Sequence, residues 1–224
     1  MSAWEWLGRS RFFPLQAAVA IACPRFFLRR FYDSGLKGIT PRRFTATLSF
    51  DVDRKRDVLA LPSLLEQLAR HGIKAGFAVC GAWVDRYPVE HRALALAGCE
   101  IINHTYNHPN SEELCPGRFF PDLSPEEMRR EIVLCHDAVV RHMGVEPKGF
   151  RCPHFGDLHT DAVYPILREL GYVYSSSLMA VRSKQGGWPA LMDCGLVEFP
   201  VSSCPMHPHS AFDSWHSLER RRPW

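Results

Sequence analysis

A chain of 224 residues that is 46% hydrophobic is long enough to bury one full-sized core, and its length fits a single α/β domain. The formal charge of +3 conceals an asymmetry: residues 1–44 carry eight Lys and Arg against two acids, whereas residues 45–224 carry nineteen against twenty-two. The body therefore lacks the basic stripe interleaved with aromatics that grips nucleic acid, and nucleic acid is set aside as a partner.

Eight cysteines stand singly, with no Cys-x-x-Cys pair, a usage that suits reduced thiols in a cytosol. The even count leaves disulfides open. The expected location is cytoplasmic, with an exported form as the alternative. In the basic aromatic leader, residues 1–44, SRFFPLQAAVAIACP sets about ten apolar residues behind Arg9 and Arg11. That is the size of a signal-peptide core and too short to span a bilayer, and Pro14 and Gln16 interrupt it. We read the leader first as a surface or packing segment; a cleaved signal or a membrane-surface anchor are the alternatives. Trp4, Trp6, Phe12, Phe13, Phe26 and Phe27 suit either kind of docking.

From Phe44 onward strand-like and helix-like runs alternate. FTATLSF (44–50) alternates in polarity and reads as a strand ending at Asp51. VLALPSLLEQLARH (58–71) has helical spacing and stops at Gly72. A second strand is expected over 73–81, a helix broken near Pro88 over 82–98, and a third strand over 99–104. SPEEMRREIVLCHDAVVRHMG (124–144) opens with Ser124, Pro125 and Glu127, which is the pattern of a capping box. Further strands are expected at 148–153, 171–178 and 196–202, with a helix over 159–170. Such spacing favours a parallel sheet, either a barrel or a doubly wound one, because parallel neighbours need a crossover that a helix supplies. The long polar stretch 109–127 reads as a loop, and loops beyond strand ends are where such sheets collect their chemistry.

Three clusters of reactive residues fall at three of those strand ends. In SFDVD, Asp51 and Asp53 are two apart on a strand and so face one space, where their mutual repulsion calls for a cation or an arginine. The bland reading turns DVDRKRD into solvent, with Asp57 as a surface partner of Lys55 or Arg56. In HTYNH, His104 and His108 would share one face if the chain turned helical, and two imidazoles so placed can hold zinc. Taken alone, they are equally a half-buried and a surface histidine. In GFRCPHFG, Pro153 fixes the backbone so that the His154 N–H can point at a ligand, and Arg151 can keep a carboxylate ionised. The alternative is a plain turn with a surface arginine. Two histidines and one carboxylate also form the open three-ligand set of a catalytic zinc.

With these motifs in order, the chain resembles the NodB-homology polysaccharide deacetylases, carbohydrate esterase family 4, over roughly residues 45–202. SFDVD is similar to the family's T-F-D-D-G, HTYNH matches H-[ST]-x-x-H, and RCPHFG is similar to R-x-P-[YF]-G. The D-x-D spacing is similar to a branch that contains intracellular-type peptidoglycan deacetylases and related amide hydrolases. The resemblance implies an α/β fold, a distorted (β/α)7-type barrel in residues 45–224, holding one divalent metal, zinc first. It implies that Asp53, His104 and His108 are the metal ligands and that Asp51, Arg151 and His154 are catalytic. Asp51 would be the general base, oriented by Arg151, and the His154 N–H would stabilise the oxyanion. The implied substrate is an N-acetylated glycan such as peptidoglycan or a chitin-like polymer. A small cyclic or ureido amide is the alternative on the same fold.

The chain departs from the family pattern near its end. The family usually supplies a general-acid histidine from a late L-x-L-H type motif, and nothing after Ser202 reads as an apolar strand closed by histidine. His207, His209 and His216 fall in a proline-rich stretch that reads as a loop, and Ser175 stands where relatives often carry an acid. The expectation is a barrel lacking its last strand, with reduced stability, reduced activity or both. A catalytically silent remnant is the third reading. Oligomeric state is not legible.

Overall fold

The computed structural model describes residues 13–36, 46–154, 161–183 and 185–214. The chain divides into two compact units: Phe44–Ser175 with Asp193–Leu196, and Met1–Arg43 with Ser176–Met192 and Val197–Trp224. The leader residues before 13, including Trp4, Trp6 and Phe12, and the tail histidine His216 lie outside the described residues.

In the unit that contains the leader, α1 (Phe13–Ala22) and α2 (Pro24–Gly35) are separated by Cys23, with Pro24 in the first turn of α2, where its missing N–H costs no helical bond. α2 buries Leu28 and exposes Arg25, Phe26, Arg29 and Arg30. Among the described residues no helix is long and apolar enough to cross a membrane.

The other unit is a parallel sheet built by helical crossovers. Its strands are β1 (Ser49–Val52), β2 (Gly76–Val79), β3 (Glu100–Asn103), β4 (Gly149–Phe150) and β5 (Tyr174–Ser175), in that spatial order. Each pairs in parallel with the next: Asp51 lies opposite Ala78, Val79 opposite Asn103, Asn103 opposite Phe150, and Phe150 opposite Ser175. The crossovers are α3 (Lys55–Arg70), then α4 (Gly81–Arg86) with α5 (Pro88–Leu96), then α6 (Pro125–Met143), then α7 (Val163–Glu169). The α/β class and the parallel order are those expected from the sequence. The strands are shorter than their apolar runs, and β1 continues one residue past its expected end at Asp51, because Val52 still pairs with Val79.

The core of this unit is made where the helices cover the sheet. α3 buries Val58, Leu61 and Leu68, while α6 buries Ile132, Cys135, Ala138 and Val139 at helical spacing. Phe77, Val79, Val84, Leu94 and Ile132 are fully buried, each worth roughly 1.5–3 kcal/mol relative to exposure. The capping box of α6 is present: the Ser124 hydroxyl accepts from the Glu127 N–H at 3.3 Å, and the Ser124 N–H donates to the Glu127 carboxylate at 2.8 Å. Gly144 ends that helix at φ +70°, a left-handed position that suits glycine.

The end of the chain differs in part from expectation. The run 196–202 contributes β7 (Val197–Glu198), antiparallel to β6 (Ala190–Leu191), and a parallel bridge from Val201 to Met179. The short connection explains the antiparallel pair, since a few residues suffice for an antiparallel return but not for a crossover. The stretch after Ser202, read as a loop, is a hairpin of β8 (Ser203–Cys204) and β9 (His207–Ala211). Its prolines, Pro205 and Pro208, sit at the turn and within one strand of a two-stranded ribbon, where a missing N–H can face outward. His207 and His209 therefore lie on β9. All eight cysteines are free thiols.

Candidate metal and active site

Because β1, β3 and β4 run parallel, their carboxyl ends open on one edge of the sheet, and that edge carries Asp51, Asp53, His104, Arg151 and His154. Asp53 follows β1. Its backbone carbonyl accepts the Trp83 indole N–H at 2.8 Å, and its N–H donates to Asp57 at 3.2 Å. Asp57 also accepts the Arg54 N–H at 2.9 Å, so it closes the first turn of α3 and fixes the residue beside it. The ion pair with Arg56 considered from the sequence is present as well, at 3.7 Å, so Asp57 serves both.

His104 follows β3 and is buried, with its N–H donating to the Val79 carbonyl. Its Nδ1 lies 2.7 Å from the Arg151 carbonyl, which takes the ring proton and leaves Nε2 with its lone pair toward Asp53. The Asp53 Oδ1 stands 3.3 Å from His104 Nε2 and 3.5 Å from His108 Nε2. One donor atom from each of the three residues lies within 4.8 Å of the others.

The two histidines meet by a route other than the helical turn considered from the sequence. Thr105 has φ +67° and His108 φ +48°, left-handed conformations that cost non-glycine residues on the order of 1–3 kcal/mol each. The turn is a compact loop: the His108 N–H donates to Thr105 Oγ1 at 3.1 Å and the Thr105 N–H to Asn103 Oδ1 at 2.9 Å. The Gly81 and Ala82 N–H groups at the start of α4 donate to the Thr105 and Tyr106 carbonyls, both at 3.0 Å. The loop backbone is thus claimed by side chains and by a neighbouring helix start, so no helix forms. The rings end 4.9 Å apart, edge to face.

Arg151, almost fully buried, reaches 2.6 Å from Nη1 to Asp51 Oδ1 across a hundred residues of sequence. Beside it Pro153 turns the chain, and His154 takes φ +52°, with its ring 4.9 Å from that of His108 and 6.2 Å from Phe119. Among the described residues no acceptor takes the His154 N–H.

The charges of these groups depend strongly on one another. Burial alone would raise the Asp53 carboxyl, but the hydrogen bond to His104 and the charges of His104, His108 and His154 outweigh it and bring it down to about 2. Burial alone would lower His104, but Asp53 overcomes that and raises it above the ordinary imidazole value. His108, buried beside a cationic His104, falls to about 4. His154 is lowered too, first by burial and then by His104. With the Nδ1 proton donated to the Arg151 carbonyl, a second proton on His104 Nε2 would join it to Asp53 Oδ1 at 3.3 Å, and a divalent ion between the same two atoms would take that proton's place. His108 Nδ1 is moreover buried without a hydrogen-bond partner. The donor set of two imidazoles and one carboxylate fits a divalent ion that keeps an open position.

All six residues singled out from the sequence are therefore brought to one sheet edge. The reading missed Trp83 and Glu131, and the capping role of Asp57, which hold the backbone around them. Only Asp57 left a signal, an acid three residues after Arg54 at a helix start.

The sequence profile of the polysaccharide deacetylases matches residues 38–175. The chain is similar to a peptidoglycan-N-acetylglucosamine deacetylase of Bacillus cereus, 28% identical over 109 residues that cover 49% of this chain and 36% of that protein. It is also similar to a chitooligosaccharide deacetylase of Sinorhizobium fredii, 35% identical over 83 residues covering 37% and 38%. The matched stretches thus span little more than a third of those relatives. A solved structure from Mycobacterium smegmatis, assigned to the polysaccharide deacetylases, superposes with a TM-score of 0.58 at 25% identity, covering 73% of this chain and 63% of that one. The fold is shared at 23% identity with a carbohydrate esterase family 4 pseudoenzyme of Bacillus anthracis, with a TM-score of 0.52 and coverage of 63% and 45%. With the profile spanning more than half of its residues, this chain belongs to the polysaccharide deacetylase family.

Proposed function

We propose that this chain is a metal-dependent hydrolase that removes N-acetyl groups from an amino sugar or polysaccharide, such as peptidoglycan or a chitin-like glycan. The observation that carries the reading is the convergence of Asp53, His104 and His108 beside the Asp51–Arg151 ion pair. Asp53, His104 and His108 would hold the ion, zinc first by donor set. When bound, such an ion polarises an amide carbonyl and acidifies a water.

The remaining roles belong to side chains and backbone of this chain. Asp51, held by the Arg151 guanidinium at 2.6 Å, accepts the proton of the attacking water. Arg151 orients that carboxylate and, through its carbonyl, the His104 ring. The His154 N–H, directed by the turn at Pro153, donates to the oxygen on which negative charge grows. The names of the relatives, one acting on peptidoglycan and one on chitooligosaccharide, support the acetamido-sugar substrate class.

The test is acetate release from N-acetylglucosamine oligomers and from peptidoglycan by the zinc-loaded chain. The reading predicts release that falls by about 10²–10⁴ in Asp51→Asn, the range ascribed to a positioned base. Tight zinc binding with no release from any such substrate would support a silent binder instead, and release unchanged by chelation would overturn metal dependence.

A further inference from the structure

Between the two histidines lie Tyr106 and Asn107, whose backbone N–H groups, together with the Asn107 side-chain amide, turn to one carboxylate. Glu131 of α6 accepts the Tyr106 N–H at 3.0 Å and the Asn107 N–H at 2.7 Å on one oxygen, and the Asn107 side-chain amide at 2.7 Å on the other. The neighbouring Ile132 carbonyl accepts from Asn103 Nδ2 at 2.8 Å, and Asn103 in turn accepts from the Thr105 N–H. A second carboxylate holds the outer side of the loop: the Tyr106 hydroxyl donates to Asp85 at 2.9 Å, and Asp85 is gripped by His142 and Arg141 from the far end of α6. Gly81 lets this loop pack close, since a Cβ there would meet the Tyr106 ring at 2.5 Å and the Cys135 backbone at 2.8 Å.

The loop needs this support. Thr105 and His108 are both left-handed, and a loop with two such residues keeps its shape only where its surroundings over-determine it. We propose that Glu131 is a positioning residue for the metal centre, clamping residues 105–108 so that His108 Nε2 faces Asp53 and thereby setting the affinity of the site for the ion. The inference rests on the reading of Asp53, His104 and His108 as ligands. The clamp requires a carboxylate. Three N–H donors converge on two acceptor oxygens, and an amide in its place offers one acceptor and turns a donor toward a donor. Partners that orient ligating histidines typically contribute 10- to 100-fold in metal affinity.

The experiment measures zinc affinity of the full chain by chelator competition and the visible absorption of its cobalt(II) form, for Glu131→Gln, Glu131→Asp, Asn107→Ala and His104→Ala. Expected are a 10- to 100-fold loss of zinc affinity and altered cobalt bands in Glu131→Gln. Partial recovery is expected in Glu131→Asp, which keeps both oxygens, with a smaller loss in Asn107→Ala. A purely structural role would lower the melting temperature and leave the cobalt bands unchanged. Should Glu131→Gln not fold, Asn107→Ala decides, since it removes a single bond to the clamp. Zinc affinities within twofold of the parent and an unchanged cobalt spectrum in the folded clamp variants would overturn the inference alone, provided His104→Ala loses the metal. Retention of metal by His104→Ala would instead overturn the ligand assignment on which it stands.

Discussion

Because the Arg151 carbonyl holds the His104 ring while its guanidinium holds Asp51, substitution can separate the two contributions. Arg151→Lys keeps the backbone carbonyl and a positive charge but replaces a planar fork by a point charge on a flexible stem. We expect kcat for acetate release to fall by about 10- to 100-fold with zinc affinity nearly unchanged. A parallel loss of metal would show that the guanidinium shapes the ligand set as well. The pH dependence of zinc binding follows from His104. Its pKa is raised above the ordinary 6.5 because the attraction of Asp53 exceeds the effect of burial, so an incoming ion must displace a proton. Affinity is therefore full above the raised value and falls as pH drops through it, starting above pH 6.5, by up to about tenfold per pH unit for the one proton. His108, at about 4, adds its own loss only in more acid solution. Chelator competition between pH 5 and 8 measures this, and a flat profile would contradict the shared proton.

At the scale of elements, α6 both covers the sheet and supports the histidine loop, so its start matters to both. Ser124→Ala removes one half of the capping box and should lower stability by about 1 kcal/mol in urea denaturation, whereas a change within a few tenths would show that Glu127 suffices. This element was legible in the sequence because capping is local: Ser124, Pro125 and Glu127 lie within one turn. The order of strands and crossovers was legible for the same reason, through apolar period and through glycines such as Gly72 that close helices. The late hairpin was not, because Pro205 and Pro208 are loop signals on their own and only the ladder between Ser203–Cys204 and His207–Ala211 turns them into a ribbon. Nor was the left-handed turn at Thr105 and His108, since its conformation is fixed by Gly81, Asn103 and Glu131, residues 24, 2 and 26 positions from Thr105.

For the molecule as a whole, the candidate site exists because a parallel sheet gathers the ends of distant strands, and reactive residue types could be read at those ends before any contact was known. What stayed hidden was the scaffold around them: Trp83 on the Asp53 carbonyl, and Glu131 on the loop amides. Such partners are ordinary residue types, identified only by the space they share with the site. The central claim, that Asp53, His104 and His108 enclose one ion beside a separate base at Asp51, is tested most directly by calorimetric zinc titration of the parent, His104→Ala and Asp51→Asn chains. The account predicts one ion per chain in the parent, loss of binding by at least a hundredfold in His104→Ala, and retained binding in Asp51→Asn. Equal affinity in the parent and His104→Ala would contradict it.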